Sequence, residues 1–279
     1  MNSTDQAEPE GGLPPGPLEL SALAFTAMGT LCCVQMFVLI GITFQRRSGL
    51  YFWSLVGATF AQLLVCVSVL IQTWILGEQL NGIPLALSTL GFLFFPLFGY
   101  LILYSRLHLL QCSQYILSVA SAIIALEWLL AELPMAILGV INTEYPEARK
   151  LALAYKISWE FEEAVYPVVD LVLCSCYFVQ VKRLWGDSGK KTRSLLWKVV
   201  LVVTISLLLD LSWVVLQNTT DPNWSGALEC FLMALKLHIE IYILNMLTNI
   251  AKAQMADMQS KFSLSLEFCT SHPLVQAKS

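Results

Sequence analysis

Between Leu195 and Gln217 the chain reads LLWKVVLVVTISLLLDLSWVVLQ, an apolar run whose only ionisable groups are Lys198 near its start and Asp210 two thirds of the way along. A hydrocarbon core of roughly 30 Å is crossed by about 20 apolar residues in helical form. A helix is also the form that satisfies its own backbone N–H and C=O groups inside lipid. Asp210 is the anomaly. A charged side chain at the bilayer centre costs about 2.5 to 3.5 kcal/mol even on the lenient insertion scale, so it belongs in a protein interior or a watery cavity.

Six further runs of this kind fill most of the chain: Leu20 to Phe44, Tyr51 to Leu76, Pro84 to Tyr104, Gln114 to Val140, Leu151 to Val181 and Gly226 to Ile250. Turn-forming or charged joints separate them, among them Gln45 to Gly49, Gly77 to Gly82, Asn142 to Lys150 and Gly186 to Lys191. With 57% of its 279 residues hydrophobic and 13% charged, and a mean hydropathy of +0.67, the chain is too apolar for a soluble domain. The predicted fold is an all-α membrane protein, a bundle of seven transmembrane helices over residues 20–250. A disordered leader (1–19), acidic and rich in Pro and Gly, precedes it, and a tail (251–279) follows.

Alternate joints differ in charge. One side carries Arg46, Arg47, Arg106, Lys182, Arg183, Lys190, Lys191, Arg193, Lys198 and the tail lysines, and the other only Arg149 and Lys150. Positive loops stay in the cytoplasm, which places the N-terminus in the lumen or outside and the C-terminus in the cytoplasm. The glycosylation triplets at Asn2, Asn218 and Asn223 then fall on the outer side. The net charge of −4 points to no nucleic-acid partner. Eight cysteines lie mostly within the spans without metal-ligand spacing, and there are three histidines, so reduced packing thiols and no metal or cofactor are expected.

Asp210 has company. Glu127, Glu132, Glu160, Glu162, Glu163, Asp170, Glu229 and Glu240 also sit within apolar runs. In the fifth run Lys156, Trp159, Glu160, Glu163, Tyr166, Pro167, Asp170 and Cys174 recur at steps of three and four, which predicts one helix face turned from lipid. Pro167 is expected to free the carbonyl of Glu163 and kink the helix. Glu162 falls off this face, where pairing with another helix is expected of it. In the seventh run Glu229, Lys236 and Glu240 share a side, and Lys236 and Glu240 have the spacing of an ion pair. His238 is turned away and reads as structural, and Arg106 is expected to contact lipid phosphate or the cytoplasmic surface.

Buried acids are often structural, tied to Lys156, Lys236 or His238. As a group drawn from at least four helices, they predict a pocket. A protonated and an ionised carboxyl side by side supply acid and base. The aromatic faces of Trp159, Tyr166 and Trp213 stabilise positive charge. This set suits cyclisation of a lipophilic prenylated epoxide dissolved in the membrane lipids.

Three stretches, Arg46 to Ser54, Leu103 to His108 and Lys236 to Glu240 with Leu244-Asn245, resemble a largely uncharacterised fungal seven-helix family. The chain also looks like membrane-bound terpene cyclases of meroterpenoid pathways, those of ascochlorin-type and ascofuranone-type products. Ser158-Trp159-Glu160-Phe161 followed by Tyr166-Pro167 is similar to the Trp-Glu-Phe and Tyr-Pro pattern of a better-known cyclase family, which carries it early in the chain rather than in helix five. The resemblance implies that Glu160 or Glu163 protonates the epoxide. Asp210, Asp170 or Glu240 would orient the donor or take the final proton, and Trp159, Tyr166, Trp213, Lys236 and Glu132 would bind substrate. An endoplasmic reticulum location follows for a biosynthetic enzyme.

The competing reading is a receptor-like signalling protein, which seven spans with an outer N-terminus also fit, although layout does not imply function. The Asp/Glu-Arg-Tyr and Asn-Pro-x-x-Tyr segments of rhodopsin-like receptors are absent. Lys236 suggests a retinal protein, but the third run carries no counter-ion. No internal repeat supports a transporter.

Overall fold

The computed structural model describes residues 17–44, 49–74, 82–109, 112–145, 148–186, 190–219, 224–243 and 245–246. Among these, every regular element is a helix: α1 (Pro17–Thr43), α2 (Leu50–Trp74), α3 (Ile83–Leu109), α4 (Gln114–Glu127), α5 (Leu133–Glu144), α6 (Arg149–Gly186), α7 (Lys190–Thr219) and α8, residues 224–243. Six stretches are long and apolar enough to cross a membrane: Leu20–Thr43, Leu50–Gln72, Ile83–His108, Gln114–Thr143, Arg149–Arg183 and Trp197–Gln217. The protein is therefore a multi-pass, all-helical membrane protein. α8 is also helical where the seventh run was expected, but Glu229, Lys236 and Glu240 dilute its apolar character. Helix α1 starts at Pro17, inside the expected leader, at the first-turn position that proline's missing N–H tolerates. The rest of the leader, the tail, and the triplets at Asn2 and Asn223 lie outside the described residues.

Large apolar side chains on the outward faces, such as Leu31, Ile42, Phe60, Leu126, Val179, Leu208 and Val215, stay exposed and form a surface suited to lipid tails. Inside, small residues let helices approach. A Cβ on Gly29 would lie 2.8 Å from the carbonyl oxygen of Cys230, and one on Gly91 would lie 2.9 Å from that of Ala61. Such contacts replace the hydrophobic effect as the means of packing helices in lipid. Cys33, Cys66 and Cys230 fill the core around the Gly29 contact as buried free thiols.

One irregularity shapes the interior. Between α4 and α5, residues Trp128–Glu132 form a single π turn in which the N–H of Leu133 bonds to the carbonyl of Trp128. Pro134 follows directly, and its ring displaces the carbonyl four residues back, which favours the wider turn. Residues five apart on an α-helix point about 140° apart. The wider turn brings Glu127 and Glu132 back towards one face, and both are buried. α6 continues as helix through Pro167, and the π turn lies in the fourth span.

Candidate ligand pocket

A cleft enclosing about 440 Å³ of empty space, its open mouth included, lies between α3, the π turn with α5, α6, α7 and α8. Its walls are Phe92, Phe95 and Pro96 of α3, Glu132 and Met135 of the fourth span, Trp159, Glu162 and Tyr166 of α6, Trp213 of α7, and Glu229 and Met233 of α8. Pro96 lacks the N–H that would bond to the carbonyl of Phe92, one turn earlier in α3. No Lys, Arg or His is among the described lining residues.

Glu132 is 0% exposed, and neither carboxyl oxygen receives a hydrogen bond from a protein donor. Its polar neighbours are two more carboxyls, those of Glu127 and Glu162. Two carboxyls hold such a contact only with a proton between them, because an ionised carboxylate accepts and never donates. Tyr100 Oη donates to Glu127 Oε1 at 3.4 Å, which ties α3 to α4. The Nε1–H of Trp213 is buried and unpartnered.

Behind Tyr166 the electrostatics change. Lys236 Nζ donates to both oxygens of Asp210 at 2.8 Å and to Tyr166 Oη at 3.1 Å. It stands 3.8 Å from Asp170 Oδ2. The ammonium also lies 5.3 Å from the centre of the Tyr166 ring, a cation–π contact. One turn along α8, Glu240 forms a buried ion pair with Arg106 of α3, and its backbone carbonyl accepts from Tyr51 Oη at 3.0 Å. The charge-assisted bonds join α3, α6, α7 and α8, and the Tyr51 hydroxyl adds α2.

The sequence-predicted residues separate into three groups. Trp159, Tyr166, Trp213 and Glu132 line the pocket. Asp170, Asp210, Lys236 and Glu240 lie together in the ion network beyond it. Glu160 and Glu163 lie outside both. The Glu160 side chain is 61% exposed and pairs at 3.8 Å with exposed Lys156, so the face expected to avoid lipid at this point does not. Glu163 accepts from Trp159 Nε1 along α6.

One expected pairing and one expected location are corrected. Lys236 does not pair with Glu240 along the helix; each reaches across to another helix, where a partner is buried with it. Arg106 does not meet the cytoplasmic surface but is 1% exposed, and so drops out of the loop charges that set orientation. His238 Nδ1 lies 3.2 Å from the carbonyl oxygen of Ala234, one turn back along α8.

Glu162 and Glu229 are the acids that sequence reasoning left out of the site. Residues 159, 162 and 166 recur at three and four as regularly as 159, 163 and 166, so spacing alone does not choose between Glu162 and Glu163. The periodicity of α6 or of α8 by itself does not single out Glu162 or Glu229, because it does not encode which neighbouring span lies opposite.

An acid-and-aromatic cleft within a helical membrane bundle defines the class of protein. A family model described as a domain of unknown function, DUF7703, matches residues 18–261, and the chain belongs to that family. No curated protein and no solved structure matches it.

Proposed function

We propose that the protein is a membrane-embedded terpene cyclase that isomerises a prenylated epoxide by acid–base catalysis, as the resemblance to meroterpenoid cyclases implies. The supporting observation is the convergence of Glu132, Glu162 and Glu229, from three spans, on one cleft walled by Trp159, Tyr166, Trp213 and Phe95. In this reading α8 completes a seventh span, with the N-terminus lumenal and the C-terminus cytoplasmic. The bias of Arg46, Arg47, Lys182, Arg183, Lys190 and Lys191 supports that orientation without Arg106. An enzyme on a lipophilic intermediate belongs in the endoplasmic reticulum, where Asn2, Asn218 and Asn223 would face glycosylation.

The acid passes from Glu160 to Glu132. The proton held between Glu132 and Glu162 goes to the epoxide oxygen, and the C–O bond breaks towards the more substituted carbon. An olefin of the prenyl chain closes on the resulting cation while the aromatic faces stabilise the positive charge. Glu229 takes the proton lost from the cyclised cation, so the product is an isomer of the substrate. Asp170, Asp210, Lys236 and Glu240 act as positioning residues that hold Tyr166 and the helices.

Microsomes containing the protein should convert a prenylated aryl epoxide to a cyclic product of unchanged mass. Glu132→Gln should abolish conversion at normal protein level, and Glu160→Gln should retain it. Absence of conversion by the wild type, or full turnover by Glu132→Gln, overturns the reading. Saturable binding without conversion would favour the receptor-like alternative.

A further inference from the structure

We propose that the cleft is a recognition site for lipophilic ammonium compounds, independent of any turnover there. Among the described residues three acids line it and no basic side chain does. The nearest protein cation, Lys236, is drawn off by Asp210 and Asp170. Glu132 is fully buried and open to the cleft with only the carboxyls of Glu127 and Glu162 as polar neighbours, and the buried Nε1–H of Trp213 has no partner at all. Buried polar atoms without partners are rare in folded proteins and need an explanation such as a missing guest.

The guest that satisfies these walls is chemically narrow. It must bring hydrogen-bond donors and positive charge to the carboxyls, and carbon to Phe92, Phe95, Met135 and Met233. A protonated tertiary amine on an apolar skeleton meets both demands, and aromatic faces such as those of Trp159, Tyr166 and Trp213 favour such cations. The unpartnered Nε1–H of Trp213 asks in addition for an acceptor on the ligand, such as a hydroxyl or ether oxygen near the nitrogen. An anionic or phosphorylated lipid supplies carbon and an acceptor but brings negative charge against three carboxyls.

The test uses the full chain in zwitterionic lipid nanodiscs, with empty nanodiscs subtracted. N,N-dimethylgeranylamine is titrated at pH 7 against the neutral hydrocarbon in which CH replaces nitrogen, following tryptophan fluorescence. The amine should bind about 30-fold more tightly. Glu132→Gln with Glu162→Gln should shrink that preference to within about threefold, and Glu229→Gln alone, at a partly exposed position, should reduce it by roughly tenfold. Trp213→Phe should weaken a β-hydroxy amine of the same chain by about fivefold more than it weakens the plain amine.

Equal binding of amine and hydrocarbon by the wild type overturns the proposal, as does an undiminished preference in Glu229→Gln or in the double variant. Amine binding without epoxide conversion sinks the cyclase and leaves this site standing. Conversion without amine preference does the reverse.

Discussion

Asp170, Asp210 and Glu240 each have a buried cation beside them, Lys236 for the first two and Arg106 for the third. Glu132, Glu162 and Glu229 line a cleft without any. Both sets are acids within apolar helices, and Tyr166 stands at the border, its ring facing the cleft and its hydroxyl accepting from Lys236. The difference separates two uses of an intramembrane acid. Ion pairs between helices hold them in register, with Asp170 and Asp210 sharing Lys236 and Glu240 facing Arg106. Acids in contact with other acids keep exchangeable protons and free lone pairs, which a binding or catalytic site requires.

The sharpest way to break the comparison is Lys236→Met. It strands Asp170 and Asp210 in the interior with only Tyr166 to face them. Losing one partner of a buried pair costs about 3 to 5 kcal/mol. The variant should yield little monodisperse protein in detergent. Adding Asp170→Asn and Asp210→Asn should restore most of the yield, because the stranded charge rather than the missing amine does the damage. Failure of the triple variant to recover would assign Lys236 a role beyond pairing.

Next comes the Arg106–Glu240 pair. Arg106→Gln and Glu240→Gln should each lower thermal stability by about 3 kcal/mol, and the double variant should cost less than the sum. A double-mutant cycle on the unfolding midpoint of purified protein measures the coupling. Additive losses would mean that the two groups do not depend on one another.

Glu132→Gln sharpens the contrast from the other side. The amide donates to Glu127 and Glu162 without needing a shared proton, so stability should change by less than about 1 kcal/mol, upward if at all. A paired acid and a pocket acid, both nearly inaccessible, should therefore respond oppositely to the same Glu→Gln change. Equal destabilisation of Glu132→Gln and Glu240→Gln would erase the distinction between the two regions.

The helices were legible because lipid imposes length and apolar composition on every span, and Leu195 to Gln217 carries both in plain view. The aromatic walls were legible too, since Trp159, Tyr166 and Trp213 stand next to acids that lipid would reject. Partner choice was not. An i,i+4 spacing joined Lys236 to Glu240 on paper, while both side chains reach across to other helices. Periodicity along one helix carries no information about which neighbour lies opposite. The same limit placed Arg106 at the surface, because its position near the end of α3 says nothing of Glu240 on α8.

The smallest effect tests that limit directly. Glu160 stands on the stripe that spacing assigns to the interior, yet its side chain is largely exposed, with Lys156 one turn away as its partner. Exposed ion pairs of this spacing contribute about 0.3 to 0.5 kcal/mol in water. Glu160→Gln should leave the unfolding midpoint, amine binding and any epoxide conversion within error of wild type, while Glu162→Gln, two residues along, should weaken binding severalfold. The two positions differ by about 200° around α6, so a reversed outcome would mean that the helix is rotated by half a turn from the packing described here. Such a rotation would also take Tyr166 away from Lys236, which an altered tryptophan and tyrosine emission of the wild type against Tyr166→Phe would expose.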